Sequence, residues 1–354
     1  MINYLNFYRN KKVLVTGSTG FKGAWLSLWL NMLGAKVYGI GYKPNLNKKL
    51  FNQLDLRKKI VFQNIDVRNF SKIKNYIKKI KPEIIFHLAA QPIISKSYEN
   101  PKYTYEVNSL GTLNIIEAIR EVKFVKSAVF VTSDKCYESN NSTIGFKEND
   151  KLGGIDPYSG SKASAEIIIN TYYHSFFKNK KKIGVATARA GNVIGGGDWS
   201  KDRLIPDAIK FLNKKKKIII RNPNFNRPWQ HVLEPLNGYL ILAIKLYKNP
   251  LKYSGPWNFG TEQKTVTSVE QIVQKIIHNW GEGKYKFLNK NIFYEQTNLQ
   301  LNISKAKKKL NWKPKLSINE CVNFTVDWYK SVLKNNMSVL KITSDQISKY
   351  MKNK

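Results

Sequence analysis

Lys12-Val13-Leu14-Val15-Thr16-Gly17-Ser18-Thr19-Gly20-Phe21-Lys22-Gly23 is the stretch on which the reading of this chain turns. Its first five residues form a short apolar strand pattern, and Gly17, Gly20 and Gly23 stand at GxxGxxG spacing before a helical pattern begins. The first glycine permits a sharp turn, the second lets the backbone approach a diphosphate, and the third lets the helix pack closely on the strand. A helix starting there points unpaired N–H groups and the positive end of its dipole at that negative charge. Glycines alone would suit an ordinary turn. Strand, loop and helix at the head of a longer alternation make the pattern a dinucleotide signature.

Outward from this loop, Lys36 to Ile40, Ile60 to Ile65, Ile84 to Ala89 and Ser127 to Thr132 read, with Lys12 to Thr16, as short buried strands. Helical periods lie between them. In Ser71 to Ile80 the residues Ile73, Ile77 and Ile80 share one face, and Ser71 is placed to cap the helix. Such alternation, with strands apolar on both faces, implies an α/β fold of the Rossmann type: a doubly wound parallel sheet covered by helices on each side. After about Asn192 the rhythm becomes irregular, with Gly195-Gly196-Gly197, a helical pattern near Ile205 to Leu212 and loops punctuated by proline. Ser317 to Val332 is again amphipathic, and a final short segment reaches Lys354. Residues 1–190 are therefore expected to hold mainly the dinucleotide-binding domain. Residues 191–354 would hold mainly a smaller substrate-binding region, interleaved with the last elements of the sheet.

With 354 residues, 42% of them hydrophobic, the chain can bury a large core. Its two cysteines, Cys136 and Cys321, form neither a disulfide framework nor a CxxC pair, which suits a reducing cytoplasm. No apolar stretch approaches the roughly 20 residues needed to cross a bilayer, and no signal-peptide pattern precedes Val13, so no membrane association is expected. A formal charge of +36 invites a nucleic-acid reading. Against it, the lysines are scattered along the whole chain and lack the aromatic interleaving of a base-stacking platform. A solvated surface without a specific nucleic-acid partner is the expectation. The four histidines, His87, His174, His231 and His278, show no metal-ligand spacing, so no metal is expected. His87 alone reads more naturally as a satisfied core histidine than as a catalyst.

Chemistry enters at Tyr158-Ser159-Gly160-Ser161-Lys162, introduced by the Asp156-Pro157 turn. The i, i+4 spacing puts phenol and amine on one helix face. An ammonium beside a phenol favours the phenolate, giving a base that can take a hydroxyl proton while hydride leaves the same carbon. The preceding strand ends Thr132-Ser133-Asp134-Lys135-Cys136-Tyr137, which supplies a hydroxyl and then two adjacent acid/base groups. A surface ion pair at a strand end is the plain alternative for Asp134-Lys135.

The GxxGxxG loop, the Tyr158/Lys162 pair and Ser133 together resemble the extended short-chain dehydrogenases/reductases, the NAD-dependent epimerase/dehydratase family. Longer blocks narrow the resemblance to the branch that dehydrates CDP-glucose. They are Thr132 to Tyr137, Ala188 to Trp199, Asp202 to Asp207 and Arg227 to Val232, and the likeness runs from about residue 8 to near the end. It implies NAD held by Gly17, Thr19, Gly20, Phe21, Lys22 and Gly23, with Asp66 and Val67 beside the adenine. Leu88, Ala89, Ala90, Gln91 and Asn108 would follow along the cofactor, with Tyr158 and Lys162 at its reactive end. NADP stays open, because Gly41-Tyr42-Lys43 offers no acidic residue for the ribose hydroxyls and Lys43 suits a 2′-phosphate. A second departure is Ser95-Lys96, where the family leads one to expect an arginine.

The implied reaction is oxidation at the sugar C4, loss of water across C5 and C6, and return of hydride to C6, giving CDP-4-keto-6-deoxyglucose. In it Tyr158 takes the C4 hydroxyl proton, Ser133 holds that hydroxyl and Lys162 holds the nicotinamide ribose. Lys135 takes the C5 proton and Asp134 protonates the departing C6 hydroxyl. A lysine base must be neutral when it acts, so the pocket should desolvate Lys135 or set it near Lys162. Asn192, Arg203, Arg227 and His231 are the implied contacts to the nucleotide sugar. A homodimer is implied through the helix bearing Tyr158 and the helix before it. The rival readings are a nucleotide-sugar epimerase or decarboxylase on the same fold, and a non-catalytic dinucleotide- or polyanion-binding protein.

Overall fold

The computed structural model describes residues 4–42, 49–138, 145–179, 183–200, 202–262, 267–288 and 300–353. Lys43, named above for its bearing on the cofactor's ribose, lies outside them.

Six strands follow the first part of the chain: β1 Lys12–Thr16, β2 Lys36–Gly41, β3 Val61–Asn64, β4 Ile84–His87, β5 Ser127–Val131 and β6 Gly184–Arg189. A seventh, Gly255–Asn258, joins them from far along the chain. All pair in parallel, in the order β3-β2-β1-β4-β5-β6 and then Gly255–Asn258. Because neighbouring side chains on a strand point to opposite faces, each central strand feeds two cores. Val13 and Val15 of β1 join one, with Trp25, Trp29 and Leu236, while Leu14 joins the other, with Ile73, Ile115 and Ile169. Helices Phe21–Met32 and Leu233–Lys248 cover the first face; Phe70–Ile80, Gly111–Arg120 and Pro157–Tyr172 cover the second.

Several sequence expectations are corrected at their edges. The 60–65 run forms a strand, but not a buried one: β3 closes the sheet and pairs only with β2, leaving Val61 54% exposed. The helix expected at Ser71 starts one residue earlier, at Phe70, and its cap is Asn69, whose side-chain oxygen accepts from the Lys72 N–H at 3.0 Å. Ile73, Ile77 and Ile80 are buried on its inner face as their spacing requires. β4 stops at His87, because the N–H groups of Leu88 and Ala89 turn to the Thr16 hydroxyl oxygen, each at 3.2 Å. The segment leading to Lys354 carries a full helix, Val339–Lys352. Among the described residues no helix is long and apolar enough to cross a membrane.

In an open parallel sheet the ligand crevice opens at the carboxyl ends of the strands, where the strand order reverses. Here that point lies between β1 and β4. Gly17 follows β1, Leu88 follows β4, Ser133 follows β5 and Asn192 follows β6, so the topology brings four separate sequence motifs to one rim.

Candidate active site

Gly17 adopts φ +70°, and a Cβ there would collide with the Ala89 backbone. The loops after β1 and β4 are thus in backbone contact, and only glycine allows it. Helix Phe21–Met32 then starts with Gly20 at its cap, without a side-chain hydrogen bond and without an acidic residue in its first turn. Its leading N–H groups therefore keep their capacity for an anion. Trp25 donates from Nε1 to the Gly196 carbonyl at 3.0 Å, which ties this helix to the Gly195-Gly196-Gly197 run.

His87 is 3% exposed, and both ring nitrogens are used. The Thr112 hydroxyl donates to the Asn108 carbonyl at 2.7 Å, so its oxygen accepts from His87 Nε2 at 3.1 Å. That leaves Nδ1 to accept from the Thr16 hydroxyl at 2.7 Å. Burial pushes the imidazole down to about 3, and the nearby Lys162 charge adds to that, so the ring is neutral. It is a strut that fixes Thr16 and, through it, the Leu88–Ala89 backbone. Asn108 has a similar part, different from the cofactor contact the resemblance implied. It lies in a π-turn at Glu106–Leu110, 1% exposed, with its side chain consumed by protein. Its Oδ1 accepts from the Gln91 N–H at 2.8 Å, and its Nδ2 donates to the Gln91 carbonyl and to Ser161 Oγ. A fully engaged amide shapes the Leu88–Gln91 loop and docks it to the Tyr158 helix.

On the other side of the loop, Asp66 accepts from Arg68 through both carboxylate oxygens, and Arg68 reaches on to Glu106 at 3.0 Å. Burial raises the Asp66 carboxyl, but the hydrogen bonds from Arg68 outweigh it and hold the group below its usual range. Val67 is buried, and Asn114 donates to its carbonyl at 2.9 Å.

Helix Pro157–Tyr172 begins at Asp156, whose carboxylate accepts from the Ser159 N–H at 3.0 Å. Tyr158 and Lys162 are 9% and 5% exposed, on the face toward the sheet. One turn further, Glu166 forms a buried ion pair with Arg189 of β6 at 2.7 Å and accepts from the hydroxyls of Thr132 and Thr187. Arg189 also donates to the Tyr137 hydroxyl and the Glu148 carbonyl. This network clamps the helix by its middle, so phenol and amine face the β5 tip in a fixed register. Lys162 Nζ donates to the Val131 carbonyl at 3.4 Å.

At that tip, Ser133 Oγ accepts from the Lys135 N–H at 3.2 Å and donates to Asp134 Oδ1 at 3.0 Å. The Ser133 hydroxyl lies near enough to Tyr158 to favour its phenolate. Asp134 is 4% exposed and its carboxylate lies against Gly191, where any Cβ would overlap it.

Electrostatics depart from the sequence expectation in two ways. Burial pushes Tyr158 up to about 12, opposed by the Ser133 hydroxyl beside it, and Lys162 is not among the charges that act on the phenol. Desolvation, not a neighbouring carboxylate, dominates. Desolvation lowers Lys162 and Lys22, both to about 8, and Lys135, expected to lie in a desolvating pocket, is only half-buried. The charge on Lys22 is felt together with those of Arg203, Asp134 and Lys162, so it faces the same cleft. That neighbourhood was invisible in the sequence, because only the fold brings the second residue of one helix to the tip of β5.

Of the residues expected to meet the substrate, Asn192 sits at φ +42° with its Nδ2 buried and unpartnered. Arg203 is 35% exposed and held by Asp198 at 2.9 Å, and its charge reaches Tyr158. Arg227 is 6% exposed on the Asn226–Arg227 strand, its guanidinium over Phe225. His231 is a correction. It is wholly buried, its ring packed edge-on to Trp25 and Phe324, and desolvation lowers it to about 3. It belongs to the core and offers the cleft nothing.

The family model for GDP-mannose 4,6 dehydratase matches residues 14–325. This chain belongs to that family. A family relative, the CDP-glucose 4,6-dehydratase of Salmonella typhimurium, is 42% identical over 98% of both chains. Among solved structures with this family's fold, the UDP-glucose 4-epimerase of Thermotoga maritima superposes with a TM-score of 0.78 at 21% identity, covering 91% of this chain and 100% of its own. The dTDP-glucose 4,6-dehydratase of Bacillus anthracis, solved in complex with NAD, gives 0.76 at 24%, covering 91% and 97%. These two likenesses establish the fold that the family shares.

Proposed function

We propose that this chain is a CDP-glucose 4,6-dehydratase that releases water and CDP-4-keto-6-deoxyglucose, with NAD as its resident cofactor. The observation that carries the reading is the buried Ser133–Asp134 hydrogen bond beside Tyr158, set in a chain 42% identical to an enzyme of that name. A sugar merely oxidised and reduced again at C4 needs no acid next to that serine, whereas departure of a C6 hydroxyl does.

The uncapped start of helix Phe21–Met32 and the glycine contact between the loops after β1 and β4 suit the cofactor's diphosphate. Gly17, Thr19, Gly20, Phe21, Lys22 and Gly23 would cradle it, Asp66 and Val67 would border the adenine, and Leu88, Ala89, Ala90 and Gln91 would line its length. When bound, the nicotinamide supplies a hydride acceptor for C4 and a donor for C6. Tyr158 takes the C4 hydroxyl proton, with Ser133 orienting that hydroxyl and Lys162 fixing the ribose. The resulting ketone acidifies C5, Lys135 removes that proton, and Asp134 protonates the departing C6 oxygen. Asn192, with its idle amide, and the forks of Arg203 and Arg227 are suited to the substrate's diphosphate and ribose. Residues 191–354 would thus carry most contacts to the nucleotide sugar, and residues 1–190 most of those to the cofactor.

The chain works as a homodimer in this reading. Leu110 and Ile167, 51% and 56% exposed, stand on the Gly111–Arg120 side and on the Tyr158 helix, two packed elements that would form the shared face. Both cysteines are buried free thiols, consistent with a cytoplasmic enzyme. Mass spectrometry after incubation with CDP-, dTDP-, UDP- and GDP-hexoses tests the proposal. Loss of one water from CDP-glucose is expected; loss from another hexose alone would overturn the substrate, and epimerisation without water loss would overturn the reaction.

A further inference from the structure

Proton bookkeeping of the dehydration leaves a gap that the site's geometry fills. In each turnover Tyr158 gains the C4 hydroxyl proton, and Asp134 gives one to the departing C6 oxygen. The C5 proton cannot balance them, because C5 must be protonated again when C6 receives hydride. One group therefore ends with a proton too many and the other with one too few.

Between them stands Ser133. A serine hydroxyl offers one donor and two acceptor positions. Its donor goes to Asp134 Oδ1 at 3.0 Å and one acceptor position takes the Lys135 N–H at 3.2 Å, while the Tyr158 phenol lies near enough to feel the hydroxyl. Ser133 is thus bonded to the carboxylate and adjacent to the phenol, so a proton passing between the two groups meets its hydroxyl on the way. Ser133, Asp134 and Tyr158 are 5%, 4% and 9% exposed, so bulk water is poorly placed to do the same work.

We propose that Ser133 is a proton conduit, carrying the proton that Tyr158 takes from C4–OH to Asp134, from which it leaves with the C6 oxygen as water. This rests on the dehydratase reading. The Tyr158 O–H bond breaks as a new O–H forms on Ser133 Oγ. The original Ser133 O–H breaks as Asp134 Oδ1 is protonated, and Asp134 passes its proton to the C6 oxygen as the C6–O bond breaks. No electrons are exchanged along this path; oxidation at C4 and reduction at C6 lie outside it. Tyr158 is returned as phenolate and Asp134 as carboxylate, ready for the next sugar.

The test separates the two halves of the reaction, following nicotinamide absorbance by stopped flow and water loss by rapid-quench mass spectrometry. A serine that only orients the C4 hydroxyl would, on Ser133→Ala, slow oxidation and dehydration alike. The conduit instead predicts that Ser133→Ala slows dehydration by a further factor of about 100 beyond its effect on oxidation. Reduced nicotinamide and an undehydrated 4-keto sugar then accumulate. Ser133→Thr, which keeps the hydroxyl, should remain near wild type, and added acetic acid should partly restore Ser133→Ala. Ser133→Ala/Asp134→Asn should be no slower in dehydration than Asp134→Asn alone, since both break one path. Equal slowing of the two halves, or multiplying effects in the double variant, would overturn the conduit. Should Ser133→Ala not fold, wild-type dehydration in mixed light and heavy water decides. A curved dependence on deuterium fraction supports several protons moving together, and a straight line refutes it. Wild type that fails to dehydrate CDP-glucose at all strikes at the enzyme assignment instead.

Discussion

Gly191 shows how one absent methyl group can shape a reaction centre. Asp134 rests on its Cα, and the clash that a Cβ would cause falls on the carboxylate itself. In the proposed mechanism, Gly191→Ala should therefore push the acid off its line to the C6 oxygen. We expect turnover to fall by a factor of about 100 or more, with nucleotide affinity, measured by calorimetry, largely kept. Unchanged turnover would mean that Asp134 is free to move and is not aimed. Lys135→Met makes the complementary case: cofactor binding should survive and C4 oxidation should proceed, while water loss stalls. Normal turnover in that variant would remove Lys135 from the C5 step.

At the level of elements, the Tyr158 helix owes its register to the buried Glu166–Arg189 pair, both side chains 3% exposed. Removing one partner strands the other's charge away from water. Glu166→Gln should cost roughly 3 kcal/mol or more of stability, read from denaturant unfolding, and a change under 1 kcal/mol would show that the helix is held by packing alone. How much was legible beforehand follows the same division. β1, the Tyr158/Lys162 pair and Ser133-Asp134-Lys135 could be read because their members are neighbours in sequence, and periodicity or spacing is enough to align them. The partners of Glu166, the seat of Asp134 on Gly191 and the clamp of Asn108 on Gln91 could not, since each pairs separate elements. β3 was legible as a strand but not as an edge, because an apolar run does not record how many neighbours a strand will have. His231 was misread for a related reason: its motif marks a strand beside the cleft, while the burial of its side chain depends on Trp25 and Phe324 arriving from elsewhere.

Across the whole molecule, Glu234 joins helix Leu233–Lys248 to two segments much later in the chain. It is fully buried in helix Leu233–Lys248, accepts from the N–H groups of Lys315 and Leu316 at 2.8 and 2.7 Å, and accepts from the Tyr350 hydroxyl at 2.7 Å. Burial, only partly offset by those donors, pushes its carboxyl up to about 7. A carboxyl raised in the folded state keeps a proton that the unfolded chain releases near 4.5. Its contribution is therefore complete below that pH and is lost as pH rises through about 7. Relative to Glu234→Gln, wild-type stability should decline by roughly 3 kcal/mol between pH 4.5 and 8. Parallel pH profiles of the two proteins would refute this. At the proposed dimer face, Ile167→Asp should shift the mass seen by light scattering from two chains to one at micromolar concentration.

The tie between Glu234 and Tyr350 also bears on how the chain is made. The carboxylate is laid down more than a hundred residues before its phenol partner, and the seventh strand of the sheet comes late as well. The chain as far as Tyr350 must have left the ribosome before this part of the interior can seal, so the core around Glu234 waits on a helix made long after it. Truncation just after Met337 would leave both Glu234 and Trp29 of the interior without the ring of Tyr350 that meets them.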